Sequence, residues 1–306
     1  PIDNLIGKLY PLFGFALLAM AVGVLYGIFT SPGAMPEITE AFNNYNPQDS
    51  MPIFPGLCIT IACGAVSGFH ATQSPLMARC LKNEKYGRPV FYGAMITEGI
   101  VALIWAAAAI KFADTLDCAG ATPYEKLLNA MTENYAHGVN PAIVINQIST
   151  EWLGSVGAIL AVLGVVAAPI TSGDTALRSA RLIAADFMHC KQDKIAKRLL
   201  IATPIFVCTI LLTFVDFTIV WRYFAWPNQT IAAITLWAIT IFLARQKKTW
   251  IIAYIPALFM TMVCSSYILI APEGLQLPHG ISYIIAGVVT IITGLQFLRW
   301  RNKKIK

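Results

Sequence analysis

About eight apolar runs, each of roughly the length needed to cross a bilayer, divide this chain. They lie at approximately residues 9–30, 53–78, 89–113, 152–173, 199–220, 224–244, 249–271 and 281–299. A helix needs about 20 apolar residues to traverse a ~30 Å hydrocarbon core, where no water can satisfy a bare backbone. Composition agrees: 57% of residues are hydrophobic and 12% charged, where soluble domains carry roughly 25% charged residues. The expectation is an all-α integral membrane protein of about eight transmembrane helices, forming a single transmembrane domain over residues 1–306.

Charge placement orients the runs. The net charge is +6, yet the basic residues sit at the ends of apolar runs and form no solvated patch of the kind nucleic acid needs. With Lys8 on the cytoplasmic side, alternation brings four later clusters to that side. These are Arg79/Lys82/Lys85/Arg88, the run from Arg178 to Arg198, Arg245/Lys247/Lys248, and the tail from Arg299 to Lys306. All but three of the 22 Lys and Arg residues are then cytoplasmic, the exceptions being Lys111, Lys126 and Arg222. The positive-inside rule therefore predicts both termini on the cytoplasmic side. Residues 31–52 and 114–151 become external loops. The second loop carries Thr122-Pro-Tyr-Glu-Lys-Leu-Leu, which predicts a short helix with Pro123 at its first position and Glu125 in its first turn.

Two of the runs are interrupted. The second contains Gly-Ala-Val-Ser-Gly-Phe-His-Ala-Thr-Gln-Ser-Pro-Leu-Met-Ala-Arg over residues 64–79. Irregular backbone at membrane depth must be buried in protein or line a watery cavity, and broken helices expose backbone groups to substrates in many secondary transporters. Ser67, His70, Thr72 and Gln73 are candidate binding residues there, and Pro75 frees a carbonyl one turn back. Gly64 and Gly68 alone would suit simple helix packing. The fourth run repeats the device in Pro169-Ile-Thr-Ser-Gly-Asp-Thr. Ser172 or Asp174 is expected to N-cap a new helix running to Phe187. Thr171, Ser172, Asp174 and Thr175 are candidate ligands for an ion, with a solvated helix cap as the competing reading. Arg178 and Arg181 share a helical face suited to phosphate headgroups.

Further polar residues lie within the runs. Glu98 is some nine residues into the third, about 14 Å deep, and is a candidate proton carrier or a hydrogen-bonded neutral acid. Asp216 and Arg222 suggest an interfacial pair beside Trp221, Tyr223 and Trp226. Asn228 and Gln229 open the sixth run and are expected to line an external vestibule. The seven cysteines show no metal or disulfide spacing. The four histidines are scattered, and neither a catalytic set nor a nucleotide-binding loop is found. The expectation is a non-enzyme with no cofactor beyond H⁺ or Na⁺ as a coupling ion.

The stretches Gly64–Arg79, Thr171–Ala185 and Trp221–Thr230 resemble the carbon starvation protein CstA family of bacterial inner-membrane transporters, over approximately residues 55–245. The resemblance implies uptake of peptides or pyruvate, driven by H⁺ or Na⁺, during nutrient limitation. It also implies an architecture similar to inverted five-helix-repeat transporters, with small-molecule substrate and membrane lipids as partners. Family members are longer on the N-terminal side, so the chain is expected to be a C-terminal part whose missing portion completes the site. A membrane sensor or structural subunit, in which the breaks only receive partner helices, is the alternative.

Overall fold

The computed structural model describes residues 2–37, 39, 44, 52–118, 120, 123–132, 141–190, 192–215 and 217–304. Among these residues every regular element is helical. The order is α1 (Ile2–Thr30), α2 (Ile53–Ala65), α3 (Gly68–Cys80), α4 (Ala94–Thr115), α5 (Pro123–Thr132), α6 (Pro141–Ala161), α7 (Ala167–Phe187), α8 (Ile195–Leu212), α9 (Phe217–Arg245), α10 (Ile251–Ile270) and α11 (His279–Lys304). Six stretches are long and apolar enough to cross a membrane uninterrupted: Tyr10–Thr30, Glu84–Thr115, Ile195–Leu212, Tyr223–Arg245, Ile251–Ile270 and His279–Lys304. Large apolar side chains such as Leu103, Ile252 and Ile284 are exposed on them, an arrangement that lipid satisfies and water does not. The chain is a multi-pass α-helical membrane protein. The other two expected spans are the interrupted ones.

The first interruption falls at Val66–Ser67. It leaves α2 and α3 with 13 residues each, about 20 Å apiece and shorter than the bilayer core. Ser67 is extended at φ −95°, ψ 131°, and its hydroxyl accepts the Phe69 N–H. That local bond replaces an intrahelical one and restarts the helix. Pro75 lies inside α3, two turns beyond the break.

The second interruption lies upstream of its expected place. α7 runs unbroken from Ala167 to Phe187, so Ser172 and Asp174 are helix-interior residues and cap nothing. The irregular backbone is instead at Gly154 (φ 64°, ψ −148°) inside α6 and in a π-helical turn at Val162–Val166. Gly154 occupies a conformation that only glycine adopts readily. Pro169 offers no N–H to the carbonyl four residues before it, and that carbonyl belongs to the widened turn at Val162–Val166. α6 also starts at Pro141, within the loop expected over 114–151. α5 occupies Pro123–Thr132 as predicted, with Glu125 in its first turn and Leu127 buried against the neighbouring core. α9 begins at Phe217 and continues through Pro227, so Trp221–Thr230 is helical and Pro227 opens no new helix. The expected Asp216–Arg222 pair lies outside the described residues.

The chain divides into two compact units, Pro1–Pro47 with Gly93–Arg178, and Gln48–Tyr92 with Ser179–Lys306. In the first, α1 packs on α4 and α6 around Met20, Val24, Ile28, Phe112 and Ile148. Gly23 and Gly27 permit the approach: a Cβ at Gly23 would stand 2.8 Å from Leu153 Cδ1, and one at Gly27 2.9 Å from Trp152 Cδ2. Lys111 donates to the Ile28 carbonyl at 2.5 Å, at the negative end of the α1 dipole. Lys126 pairs with Asp114 at 3.5 Å. Two of the three basic residues that break the charge asymmetry thus hold local contacts at this end.

In the second unit α10 packs against α9, α11 and α2, and α3 against α9. Buried Val263, Tyr267 and Ile59 form one core, and Ala233, Met260 and Cys264 another. Two indole N–H groups find acceptors across helices, Trp226 on the Cys264 carbonyl at 3.0 Å and Trp237 on Thr261 Oγ1 at 2.9 Å.

The α1–α6 contact makes a stability prediction. Gly27→Ile forces the helices apart at an expected cost of about 1–3 kcal/mol and lowers the midpoint of thermal unfolding in detergent. Gly14→Ile has open space at its Cβ and should leave that midpoint unchanged.

Candidate polar site at the α2–α3 break

At the restart of α3, one side chain from a distant helix closes the break. The Phe69 N–H donates to Asn228 Oδ1 at 2.9 Å and to Ser67 Oγ at 3.2 Å. Ser67 Oγ itself lies 3.4 Å from Asn228 Oδ1 and donates to it. Ser67 and Asn228 are both buried. An unpaired buried N–H would cost about 1–3 kcal/mol, and this three-centre arrangement removes that cost. Gly68 makes the approach possible: a Cβ there would overlap the Asn228 carbonyl oxygen and stand 2.9 Å from Ile231 Cβ.

A second set of contacts continues along α3. Thr72 Oγ1 donates to the Phe69 carbonyl at 2.8 Å, and Gln73 Nε2 to Thr72 Oγ1 at 3.4 Å. Ser179 Oγ, on α7, donates to Gln73 Oε1 at 3.2 Å, and both residues are buried. Ser74 Oγ donates to the His70 carbonyl at 2.6 Å. The His70 ring stands edge-on to Phe69, with centroids 6.4 Å apart. Gln229, beside Asn228, is fully buried.

The structure therefore gathers Ser67, His70, Thr72, Gln73, Asn228 and Gln229 on two adjoining helices. Asn228 and Gln229 lie within α9 and are buried, where the sequence led us to expect an open vestibule. Ser172 and Asp174 are exposed on α7, and Asp174 pairs with Arg178 one turn on, at 3.1 Å. Thr175 is half-buried on that helix, and the Thr171 side chain lies outside the described residues. Glu98 is half-buried on α4 in the first unit. Ser179 was not singled out from the sequence. It follows Ser172 and Thr175 at helical spacing, so a polar stripe along α7 was the available signal.

Chemically, the cluster holds no carboxylate, lysine or arginine side chain. Hydroxyls and carboxamides supply both donors and acceptors, and His70 is its one titratable member. Among the described residues no group of three or more His, Cys, Asp or Glu could hold a metal ion. Such a site can orient a small polar solute by hydrogen bonds next to a helix N-terminus, which carries positive potential.

The carbon starvation protein CstA family model matches residues 10–134 and 126–266. The chain belongs to that family. An uncharacterised membrane protein of Haemophilus influenzae is 46% identical over 37% of this chain and 34% of its own length. The Escherichia coli pyruvate/proton symporter BtsT is 41% identical over 29% of the chain and 13% of its own length. The peptide transporter CstA of the same organism is 39% identical over 29% of the chain and 12% of its own length. The chain thus spans about a third or less of these three relatives. No solved structure matches it at a significant level.

The Gln73–Ser179 bond makes a second prediction. Gln73→Leu and Ser179→Ala should be non-additive in thermal stability by about 0.5–1.5 kcal/mol. Gln73→Leu with Asp174→Asn should be additive. Additive energies in the first pair would mean the two groups do not interact.

Proposed function

We propose that this chain forms part of a secondary active transporter that takes up peptides or pyruvate across the bacterial inner membrane, with both termini cytoplasmic. The observation that carries the reading is the α2–α3 break, where a buried hydrogen-bonding cluster meets the start of a half-helix. Discontinuous helices of this kind supply substrate and ion sites in secondary transporters. The names of the family relatives, a peptide transporter and a pyruvate/proton symporter, support the same substrate classes. The cytoplasmic placement of the termini rests on the Lys and Arg asymmetry. No hydrolysis or group transfer is assigned, in keeping with the names of the family relatives, which are transporters. Coupling to H⁺ or Na⁺ completes the proposal, with Glu98 and His70 as the candidate proton carriers.

The test is uptake by proteoliposomes holding the full-length protein that contains this chain. Labelled pyruvate or a dipeptide should accumulate under an imposed proton or Na⁺ gradient. Gln73→Ala and His70→Ala should reduce uptake at least tenfold with normal membrane insertion, while Asp174→Asn stays within about twofold, as an exposed helix pair allows. Glu98→Gln should flatten the pH dependence of the rate. If folded protein accumulates neither solute under either gradient, the transporter reading is wrong.

A further inference from the structure

A groove of about 380 Å³ lies between α9 and α11 in the second unit. Trp237, Ile241 and Arg245 line one side and Thr293, Phe297 and Trp300 the other. Spacings of three or four residues put each trio on one face of its helix. From Trp237 to Arg245 the groove extends about 12 Å along α9. Its chemistry changes along that length, from aromatic and aliphatic at depth to cationic at the helix ends.

The floor is rigid. Phe297 stacks with Trp250, Tyr254 and Trp300 at centroid distances of 5.3, 5.4 and 5.9 Å, and Trp237 meets Tyr254 at 5.8 Å. The Arg245 guanidinium lies 5.7 Å from the centre of the Trp300 ring. Among the described residues Arg245 has no carboxylate partner, so its donors stay available at the mouth. Lys247 and Lys248 follow Arg245 at the end of α9, Arg299, Arg301, Lys303 and Lys304 close α11, and among residues 217–304 the one acid is Glu273, beyond the far end of α10. That is about 30 Å away along the helix.

We infer that this groove is a binding site for an anionic glycerophospholipid. The phosphate-bearing headgroup sits at Arg245, and one acyl chain lies along Ile241, Phe297 and Trp237. Charge decides the occupant: Arg245 has no carboxylate partner among the described residues, and the ends of α9 and α11 bring seven Lys and Arg residues and no acid, which favours an anionic headgroup over a zwitterionic one. A second copy of the chain in the same orientation would bring an identical set of cations against this one. An inorganic phosphate would leave the apolar length of the groove unfilled. The inference is independent of the transported solute.

The test is quenching of tryptophan fluorescence in the full-length protein, reconstituted with brominated phosphatidylglycerol or brominated phosphatidylcholine at equal mole fractions. Three of the seven tryptophans, Trp237, Trp250 and Trp300, belong to the groove or its floor. Phosphatidylglycerol should quench more strongly. Arg245→Gln should lower that preference about fivefold, the effect of one cation near the membrane surface. Lys303→Gln with Lys304→Gln, which removes more charge outside the groove, should lower it less. Thr293→Phe fills the groove without changing charge and should abolish the preference in protein of unchanged thermal stability. Equal quenching by the two lipids in the unmodified protein overturns the proposal. So does an Arg245→Gln effect no larger than that of the two lysines, or a preference that vanishes as the protein dimerises in the bilayer.

Discussion

Within lipid every backbone N–H and C=O must find a partner inside the protein, and the second transmembrane run meets that demand in an unusual way. Helix hydrogen bonding stops at Val66–Ser67 and resumes at Gly68, and the resumed helix begins with donors its own turn cannot satisfy. The Asn228 carboxamide supplies the missing acceptor from α9. For this to happen α3 and α9 must nearly touch, which requires the bare backbone of Gly68. Gln73 then reaches Ser179, tying α3 to α7 as well. One unsatisfied amide thus accounts for the residue types at three positions, Ser67, Gly68 and Asn228.

Magnitudes separate this cluster from the charged groups nearby. The exposed Asp174–Arg178 pair, one turn apart on α7, is expected to contribute a few tenths of a kcal/mol. Removing the buried partner of a helix-end N–H costs about 1–3 kcal/mol. The conspicuous charges on α7 are therefore the weaker interaction, and the inconspicuous carboxamides hold the break together. Carboxamides and hydroxyls also avoid the desolvation cost of burying a charge.

The α1–α6 contact in the first unit uses the same physics without polar groups. Apolar side chains gain little by leaving lipid for one another, so helix association depends on close packing. Gly23 and Gly27 provide it by admitting Leu153 and Trp152. The second unit adds an aromatic floor at the cationic ends of α9 and α11, where rings stack with each other and with Arg245 and Arg301.

Much of this is legible in the sequence. Apolar length identified the helices, the glycine- and proline-containing polar run over 64–79 marked the first break, and Thr122-Pro-Tyr-Glu announced α5. These signals are local: hydropathy, a glycine and a proline each act within a turn or so of their own position. The second break was misplaced because Ser172 and Asp174 look like caps by composition, whereas a cap forms only where the backbone has left the helix. Gly154 and the turn before Pro169 are where it does so. The pairing of Asn228 with Phe69 spans 159 residues and that of Ser179 with Gln73 spans 106, so no local pattern could reveal either. The sequence by itself determined that this chain is a set of membrane helices, one of them broken within residues 64–79. Only the tertiary structure decided which distant side chains complete that break, because a hydrogen-bond partner is chosen by proximity in space.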